Sequence, residues 1–256
     1  MNTTDKDQET IDDLIINNLK IIQSRSGFRF SLDAVLLAHF VSLQAGNRVL
    51  DLGTGNGVIP LLLTTRASRL QIHGLEIQPA MVELARRSVQ LNGLAHLIQI
   101  DQGDLREADN RYGLAVFDLV VCNPPFQKVG TGKINPNPAI ALARHELACC
   151  LEDVVRIGAL VLKPGGRLAL IQRPQRLAEI FELFSRYGLT ARRLRLVYPQ
   201  VHRAPNLVLI EGAKGGKSEL KVLPPLVVYE AGGGYTREIQ QIYYGEQRGF
   251  NQGEPE

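Results

Sequence analysis

Short apolar runs alternate with amphipathic stretches along most of the chain, and this pattern predicts alternating strands and helices. The apolar runs predict strands at residues 48–52, 71–76, 97–101, 117–122 and 167–172. Helices are expected at residues 58–63, 80–92, 139–162 and 175–187, and a final hairpin at 193–198 and 207–211. Strands that alternate with helices are typical of an α/β fold with a parallel sheet. We therefore expect a single domain over residues 19–256, with 1–18 as a flexible N-terminus and 213–256 as a C-terminal extension.

A glycine-rich turn follows the first predicted strand. It consists of Gly53, Thr54, Gly55, Asn56 and Gly57. Glycines let the backbone approach a ligand closely, and the start of the next helix offers free N–H groups. The G-x-G-x-G spacing differs from the G-x-G-x-x-G of dinucleotide-binding proteins. Asp51, on the strand itself, is poorly placed for a pyrophosphate but well placed for an ammonium group, which favours S-adenosylmethionine as the cofactor.

Acidic residues also follow the next two predicted strands. Glu76 ends the second strand, where a carboxylate can accept hydrogen bonds from both hydroxyls of a ribose. Asp104, after the third strand, can accept from an adenine amine, although Asp after Gly is also common in ordinary turns. We include their neighbours Ile77 and Leu105 in the expected cofactor site. Because the carboxyl ends of parallel strands meet at one edge, these side chains are expected to lie near Asp51.

The fourth predicted strand ends at Asn123-Pro124-Pro125-Phe126. Two consecutive prolines cannot continue a strand ladder, so Asn123 is expected at the mouth of the sheet. The side-chain carbonyl of Asn123 and the backbone carbonyl of Pro124 can each accept a hydrogen bond from one NH2 group, and Phe126 can stack on a flat ring. An ordinary strand-ending turn is the alternative interpretation. Given the upstream pattern, we assign all four residues to the catalytic site, and Asn123 also to the cofactor site.

Phe28 and Phe30 alternate around Arg29 just before a predicted helix. Two phenylalanines at such a place either pack against the start of the helix or cover a ligand. We include both in the expected cofactor site.

The composition is that of a protein with a hydrophobic core, because 45% of the 256 residues are hydrophobic. No apolar run is long enough to span a membrane, and the polar N-terminus is unlike a signal peptide. The three cysteines have neither disulfide nor zinc spacing. We expect a cytoplasmic protein without a metal and without a membrane partner.

Net charge is only +3, but it is distributed unevenly. Residues 173–221 hold ten Lys and Arg against four Asp and Glu. A basic surface there, together with the Gly-, Lys-, Asn- and Pro-rich loop at 127–138, suits a polyanionic partner. A solvated face with scattered arginines is the alternative.

The order of elements over residues 20–212 resembles that of class I S-adenosylmethionine-dependent methyltransferases. This resemblance implies a Rossmann-like doubly wound fold with a seven-stranded, mostly parallel sheet and a final antiparallel hairpin. The tetrapeptide at Asn123 is similar to that of methyltransferases acting on adenine, cytosine or glutamine. Residues 26–38, 144–146 and 163–167 resemble the bacterial tRNA1(Val) adenine-N6-methyltransferase family, whose members modify the adenosine just 3′ of the anticodon. The resemblance implies methyl transfer to the N6 amine of an adenine in tRNA.

Two other functions stay open at this point. Glutamine-N5 methylation of a protein such as a release factor uses the same tetrapeptide, but the short segment before Phe28 leaves no room for a distinct N-terminal helical domain. A non-catalytic module that binds S-adenosylmethionine and RNA would not need Asn123 and Phe126, and both are present. The oligomeric state is not predicted.

Overall fold

A computed structural model describes residues 9–25, 32–124, 126, 149–216 and 219–244. The strands are β1 Glu9–Asp13, β2 Lys20–Ser24, β3 Arg48–Leu52, β4 Gln71–Glu76, β5 Ile98–Gln102, β6 Phe117–Cys122, β7 Leu162–Gln172, β8 Leu189–Tyr198, β9 Leu207–Lys214, β10 Lys221–Val222 and β11 Leu226–Val227. The α-helices are α1 Leu32–Phe40, α2 Val58–Leu63, α3 Pro79–Leu91, α4 Ala108–Tyr112, α5 Leu151–Val161, α6 Leu177–Arg186 and α7 Arg237–Tyr244. None of the helices among these residues has the length and apolarity that crossing a bilayer requires.

The central sheet has the strand order β5-β4-β3-β6-β7-β9-β8, and β10 and β11 pair with β8 at its edge. Strands β3 to β7 pair in parallel, whereas β9 runs antiparallel to both β7 and β8. The expected α/β sheet of seven strands with a final antiparallel hairpin is therefore confirmed. The two short additional strands come from the C-terminal extension, which attaches to the β8 edge.

Two apolar clusters cover the two faces of this sheet because neighbouring residues of a strand point to opposite sides. On β6, Leu119 and Val121 belong to the cluster that includes residues of α1, α2, α3 and α7. Val120 and Cys122 belong to the cluster that includes residues of α5 and α6. The sheet is thus covered on both sides, which leaves its edges and strand ends as the places where polar side chains can act.

Residues 9–18, expected to be part of a flexible N-terminus, instead form β1 and a short helical turn. β1 pairs antiparallel with β2, and this hairpin docks on α3. The guanidinium of Arg87 donates to the Glu9 carboxylate, and the backbone N–H of Ile22 donates to Ser88 Oγ at 3.0 Å. The sequence pattern does not indicate this strand, because β1 is largely polar and its contacts are made with a helix that is distant in the chain.

Helix α6 packs closely against β9 at Gly212, and we predict that a methyl group there destabilises the protein. A Cβ on Gly212 would lie 2.5 Å from the Phe184 ring, although the backbone itself would accept alanine. Gly212→Ala should lower the free energy of unfolding by about 1–3 kcal/mol, as overpacked cores do. Urea unfolding followed by circular dichroism measures this difference.

Gly232→Ala is the matched control, since a Cβ there would meet no atom of the described residues within 4 Å and the backbone is unstrained. It should leave the free energy of unfolding nearly unchanged. Equal stability of the two variants would contradict the packing argument, and Phe184→Leu should partly restore the Gly212→Ala variant.

Candidate active site

The candidate site lies at the carboxyl edge of the sheet, where β3 has β4 on one side and β6 on the other. The chain proceeds outward from β3 to β5 and then returns to β6, so the strand order reverses between β3 and β6. Open α/β sheets bind ligands at such a switch point. Leu52 pairs with Cys122, which brings the glycine turn and Asn123 to one crevice. The Cys122 thiol donates to the Leu52 carbonyl at 3.0 Å and ties the two strand ends together.

The glycine turn has a backbone that other residues rarely adopt. The φ angles are 71° at Gly53, 58° at Gly55 and 84° at Gly57, all in the left-handed region. A Cβ on Gly57 would also lie only 3.2 Å from the Cβ of Ala85 on α3. The spacing noted in the sequence therefore has a physical cause, because each glycine occupies a position that a side chain would strain.

Asp51 is a fully buried carboxylate beside this turn. Thr54 Oγ1 donates to its Oδ2 at 2.7 Å, and its Oδ1 has no hydrogen-bond partner among the described residues. Burial raises the pKa of Asp51 to about 7, while the hydrogen bond from Thr54 lowers it and nearby Glu76 raises it. A buried acceptor with one open oxygen suits a cationic donor, as an ammonium group would be.

Thr54 is held against the strand that neighbours Asp51. A Cβ on Gly74 of β4 would lie 2.9 Å from Thr54 Oγ1, and Gly74 pairs with Asp51 across the strands. The absence of a side chain at Gly74 thus makes room for the hydroxyl that orients Asp51. Gly74 was not among the residues expected in the site, although a glycine inside a strand often marks a close approach.

Glu76 is buried at the end of β4 and fixes the glycine turn. Its Oε2 accepts from the N–H of Gly55 at 2.9 Å, and its Oε1 accepts from the N–H of Gln78 at 2.9 Å. Burial raises the pKa of Glu76, and these backbone donors oppose the shift. The backbone of Ile77 and the side chain of Gln78 also donate to this carboxylate, and the expected contact with ribose hydroxyls stays a prediction. Ile77, also expected here, is partly exposed beside it, at 39%.

Asp104 is engaged differently from the sequence expectation. It caps the short helical turn Leu105–Glu107, and Arg106 donates to it from both its backbone N–H and its guanidinium. The Arg106 hydrogen bond lowers the pKa of Asp104. Leu105 is buried in the cluster on the α5 and α6 side. A role for Asp104 toward an adenine amine stays a prediction, and it requires an acceptor oxygen shared with Arg106.

The residues expected to form the acceptor site follow β6. Asn123 is half-buried and Pro124 is buried directly after the strand. Phe126 packs against the cluster on the α1 side, and the guanidinium of Arg173 lies 4.9 Å from the centre of its ring. Arg173 follows β7, the neighbour of β6, and the sequence placed it only in the basic run at 173–221.

The N-terminal hairpin also reaches the glycine turn. Gln23 of β2 is buried, and Asn56 Nδ2 lies 3.4 Å from its Oε1. Gln23 in turn donates to Asp12 on β1. No sequence signal indicates this contact, because nothing local connects position 23 with position 56.

Some expected site residues lie outside the described part of the chain. They are Phe28, Phe30, Pro125 and the loop at 127–138. Among the described residues, no group of three or more His, Cys, Asp and Glu side chains is arranged to hold a metal ion.

The sequence matches a known protein family and known proteins. The model of the methyltransferase small domain family matches residues 31–193. A tRNA1(Val) (adenine(37)-N6)-methyltransferase from Porphyromonas gingivalis is 31% identical over 230 residues, which cover 87% of this chain and 89% of that protein. A protein of the same name from Tolumonas auensis is 28% identical over 191 residues, covering 74% and 78% of the two chains.

A solved structure is also similar in fold. The crystal structure of a predicted O-methyltransferase from Agrobacterium tumefaciens superposes with a TM-score of 0.66 and 26% identity. It covers 83% of this chain and 96% of that protein. The fold of this chain is thus similar to that of a methyltransferase.

We predict that Asp51→Asn makes the ligand-free protein more stable at pH 8. A carboxyl whose pKa is raised from 3.8 to about 7 on folding loses stability as the pH rises between these values. Replacement by a neutral amide removes this loss, so the advantage of the variant should grow by about 2–3 kcal/mol between pH 5 and pH 8. Urea unfolding at both pH values measures it, and a pH-independent difference would contradict the assignment.

Asp118→Asn is the matched control at the opposite edge of the sheet. Burial raises the pKa of Asp118, but the hydrogen bond from Lys163 and other contacts outweigh it, and the pKa lies below its ordinary value. The stability that Asp118 contributes is fully present at pH 5 and above, so this variant should be destabilised equally at pH 5 and pH 8.

Proposed function

The chain belongs to the tRNA1(Val) (adenine(37)-N6)-methyltransferase family, and on that premise we propose that it methylates the N6 amine of an adenine in tRNA, next to the anticodon. The observation that carries this proposal is the pairing of the ends of β3 and β6, which brings Asp51 and Asn123 to the same edge of the sheet at the switch point. One strand end there suits an ammonium group, and the next suits an NH2 group.

S-adenosylmethionine, the cofactor, carries an ammonium group but no phosphate, and when bound it supplies a methyl group activated by a sulfonium centre. Its ammonium group is expected on the open oxygen of Asp51, beside the backbone of the glycine turn. Glu76 is expected to accept from its ribose hydroxyls, with Ile77 beside it. Asp104 and Leu105 complete the expected adenosine end of the site.

The acceptor end acts by positioning. An adenine amine is a poor nucleophile because its lone pair is delocalised into the ring. The side-chain carbonyl of Asn123 and the backbone carbonyl of Pro124 can hold its two hydrogens, which favours a pyramidal nitrogen with a free lone pair. Phe126 supplies an aromatic face for the base. Positioning of this kind lowers a barrier by up to about 7–11 kcal/mol, and no strong base is needed because the methylated ammonium sheds its proton readily.

Two observations indicate the chemical class of the acceptor: the carbonyls of Asn123 and Pro124, and the family to which the chain belongs. A hydroxyl, the acceptor implied by the name of the Agrobacterium protein, has one hydrogen and would leave one carbonyl unused. A glutamine side chain has an NH2 group as adenine does, so the tetrapeptide alone does not separate them. The relatives, which align along most of their length, carry names that specify adenine.

The basic run at 173–221 contributes less free charge than its composition implies. Four of its arginines form ion pairs within the protein: Arg176, Arg186, Arg193 and Arg195. Lys214 donates to the backbone carbonyl of Leu162. We propose that the tRNA contacts the remaining cations of the carboxyl edge, such as Arg173 and Arg203, rather than the whole run.

Asn123→Ala should lower kcat for tRNA methylation on the order of 10²-fold or more, because the amine loses one of its two acceptors. Cofactor binding measured by calorimetry should stay close to that of the wild type, since the alanine removes no contact to Asp51 or Glu76. Unchanged turnover would remove Asn123 from the acceptor site.

Mass spectrometry of nucleosides tests the function itself. An unmodified tRNA1(Val) transcript incubated with the enzyme and labelled cofactor should yield labelled N6-methyladenosine. A transcript in which adenine 37 is replaced by guanine is the control and should stay unlabelled. Label found in protein instead of RNA would favour glutamine methylation and overturn the proposal.

A further inference from the structure

Four tyrosines of the C-terminal extension form a stacked cluster, which we call the tyrosine stack: Tyr229, Tyr235, Tyr243 and Tyr244. The ring centres of Tyr229 and Tyr235 lie 5.4 Å apart with an interplanar angle of 18°, and those of Tyr235 and Tyr243 lie 5.6 Å apart at 16°. Tyr244 adds a tilted ring at 6.4 Å from Tyr243. Tyr229 and Tyr235 also pair through an isolated antiparallel backbone bridge, which sets these two residues opposite each other.

Packing accounts for only part of this stack. Tyr235 and Tyr243 contact the apolar cluster on the α1 side of the sheet. Tyr229 is the terminal ring, and 41% of its surface is exposed. A rigid, exposed aromatic ring at the end of a stack is the kind of surface on which unpaired RNA bases stack.

The tyrosine stack lies at the same edge of the sheet as Asn123. β8 is antiparallel to β9, which is antiparallel to β7, so the carboxyl end of β8 meets the carboxyl ends of the parallel strands. β11 pairs with that end of β8. The N–H of Tyr229 donates to the carbonyl of Pro199, the first residue after β8, at 2.9 Å.

A chain of contacts joins the acceptor site to the tyrosine stack. Arg173, over the Phe126 ring, donates to the carbonyl of Asn206 at 3.0 Å. Asn206 closes the loop 199–206, which starts beside Tyr229. Loop 199–206 therefore connects the acceptor site, at Arg173, with the tyrosine stack, at Tyr229.

Loop 199–206 presents an exposed cation to this surface. Arg203 and His202 are exposed at its tip, and Val201 is 77% exposed. The nearest acid of the extension, Glu230, is also exposed, whereas Glu238 of α7 is paired with Arg195. Cations beside an aromatic ring are the combination that binds single-stranded nucleic acid.

We propose that Tyr229 and loop 199–206 bind unpaired nucleotides of the tRNA anticodon loop that flank the methylated adenine. A flanking base stacks on the Tyr229 ring, and Arg203 contacts a neighbouring phosphate. When the target adenine leaves the base stack to reach Asn123, its neighbours lose a stacking partner, and Tyr229 replaces it. This inference rests on the proposed function, because it assumes that the acceptor is a base in RNA.

The test is steady-state methylation of the unmodified tRNA1(Val) transcript by the full-length protein. Tyr229→Ala should raise KM roughly 5- to 100-fold, the range expected for one base–aromatic stack, with kcat changed less than about twofold. Tyr229→Trp should keep KM near the wild-type value. Phe181→Ala, at an exposed ring of α6 on the opposite face, is the control and should change neither parameter.

A transcript with an abasic ribose next to adenine 37 gives a second readout that a merely structural effect would not move. The wild type should lose affinity for this transcript, and Tyr229→Ala should lose little more, because the two changes remove one contact. Equal KM values for wild type and Tyr229→Ala on the intact transcript would overturn the inference, and so would additive losses at both flanking positions.

Direct binding separates failure of the inference from failure of the proposed function. Fluorescence anisotropy of the labelled transcript reports binding without methyl transfer. If the wild type binds the transcript, Tyr229→Ala binds it more weakly and no N6-methyladenosine forms, the role of Tyr229 in binding is supported and the proposed function is overturned. Methylation that is equal in both proteins would do the reverse, and no binding at all would overturn both.

Discussion

The buried carboxylate of Asp51 is the constraint on which the rest of the site depends. A charged group that is fully removed from water is costly unless it is paired, and Asp51 has only the Thr54 hydroxyl as a partner among the described residues. Its pKa of about 7 records that cost. The hydroxyl of Thr54 occupies the space that a side chain at Gly74 would fill, and the Glu76 carboxylate accepts a hydrogen bond from the glycine turn. Several residues thus fix the position of the unpaired oxygen of Asp51. Such an arrangement lowers the stability of the free protein, and a bound cation would compensate for it.

The strand order places the proposed acceptor residues beside the buried Asp51. Because β6 returns beside β3, the residue that follows β6 lies next to the turn that follows β3. Both neighbours of Asn123 are fixed. The ring of Pro124 ends the strand ladder, and the thiol of Cys122 donates a hydrogen bond to the carbonyl of Leu52. The proposed cofactor and acceptor positions therefore lie one strand spacing apart.

Those parts of the molecule that depend on local sequence could be predicted. Apolar runs indicated the strands, the three glycines indicated the turn, and Asp51 and Asn123 followed from their places at strand ends. Contacts between distant positions could not be predicted, since periodicity reports only on neighbours in the chain. The side chain of Gln23 contacts that of Asn56, and the guanidinium of Arg173 lies over the ring of Phe126. Each of these contacts depends on how distant segments pack together. In the same way, the number of charges in residues 173–221 does not reveal which arginines form ion pairs with acidic residues of the protein.

The antiparallel hairpin explains why the extension can serve the same reaction. If β8 paired directly with β7, the chain after β8 would still leave the sheet at the carboxyl edge. No loop between β8 and β9 would then lie beside the acceptor site. With β9 between them, the loop 199–206 crosses from β8 to β9 along this edge and touches Arg173 at its end. The chain after β9 then returns to the far side of β8, where β11 and α7 place the tyrosine stack. One edge of one sheet thus carries the proposed cofactor position at β3 and β4, the proposed acceptor position at β6 and β7, and the exposed Tyr229 and Arg203 beyond β8. A substrate longer than a single base is the ligand that would use the whole of it.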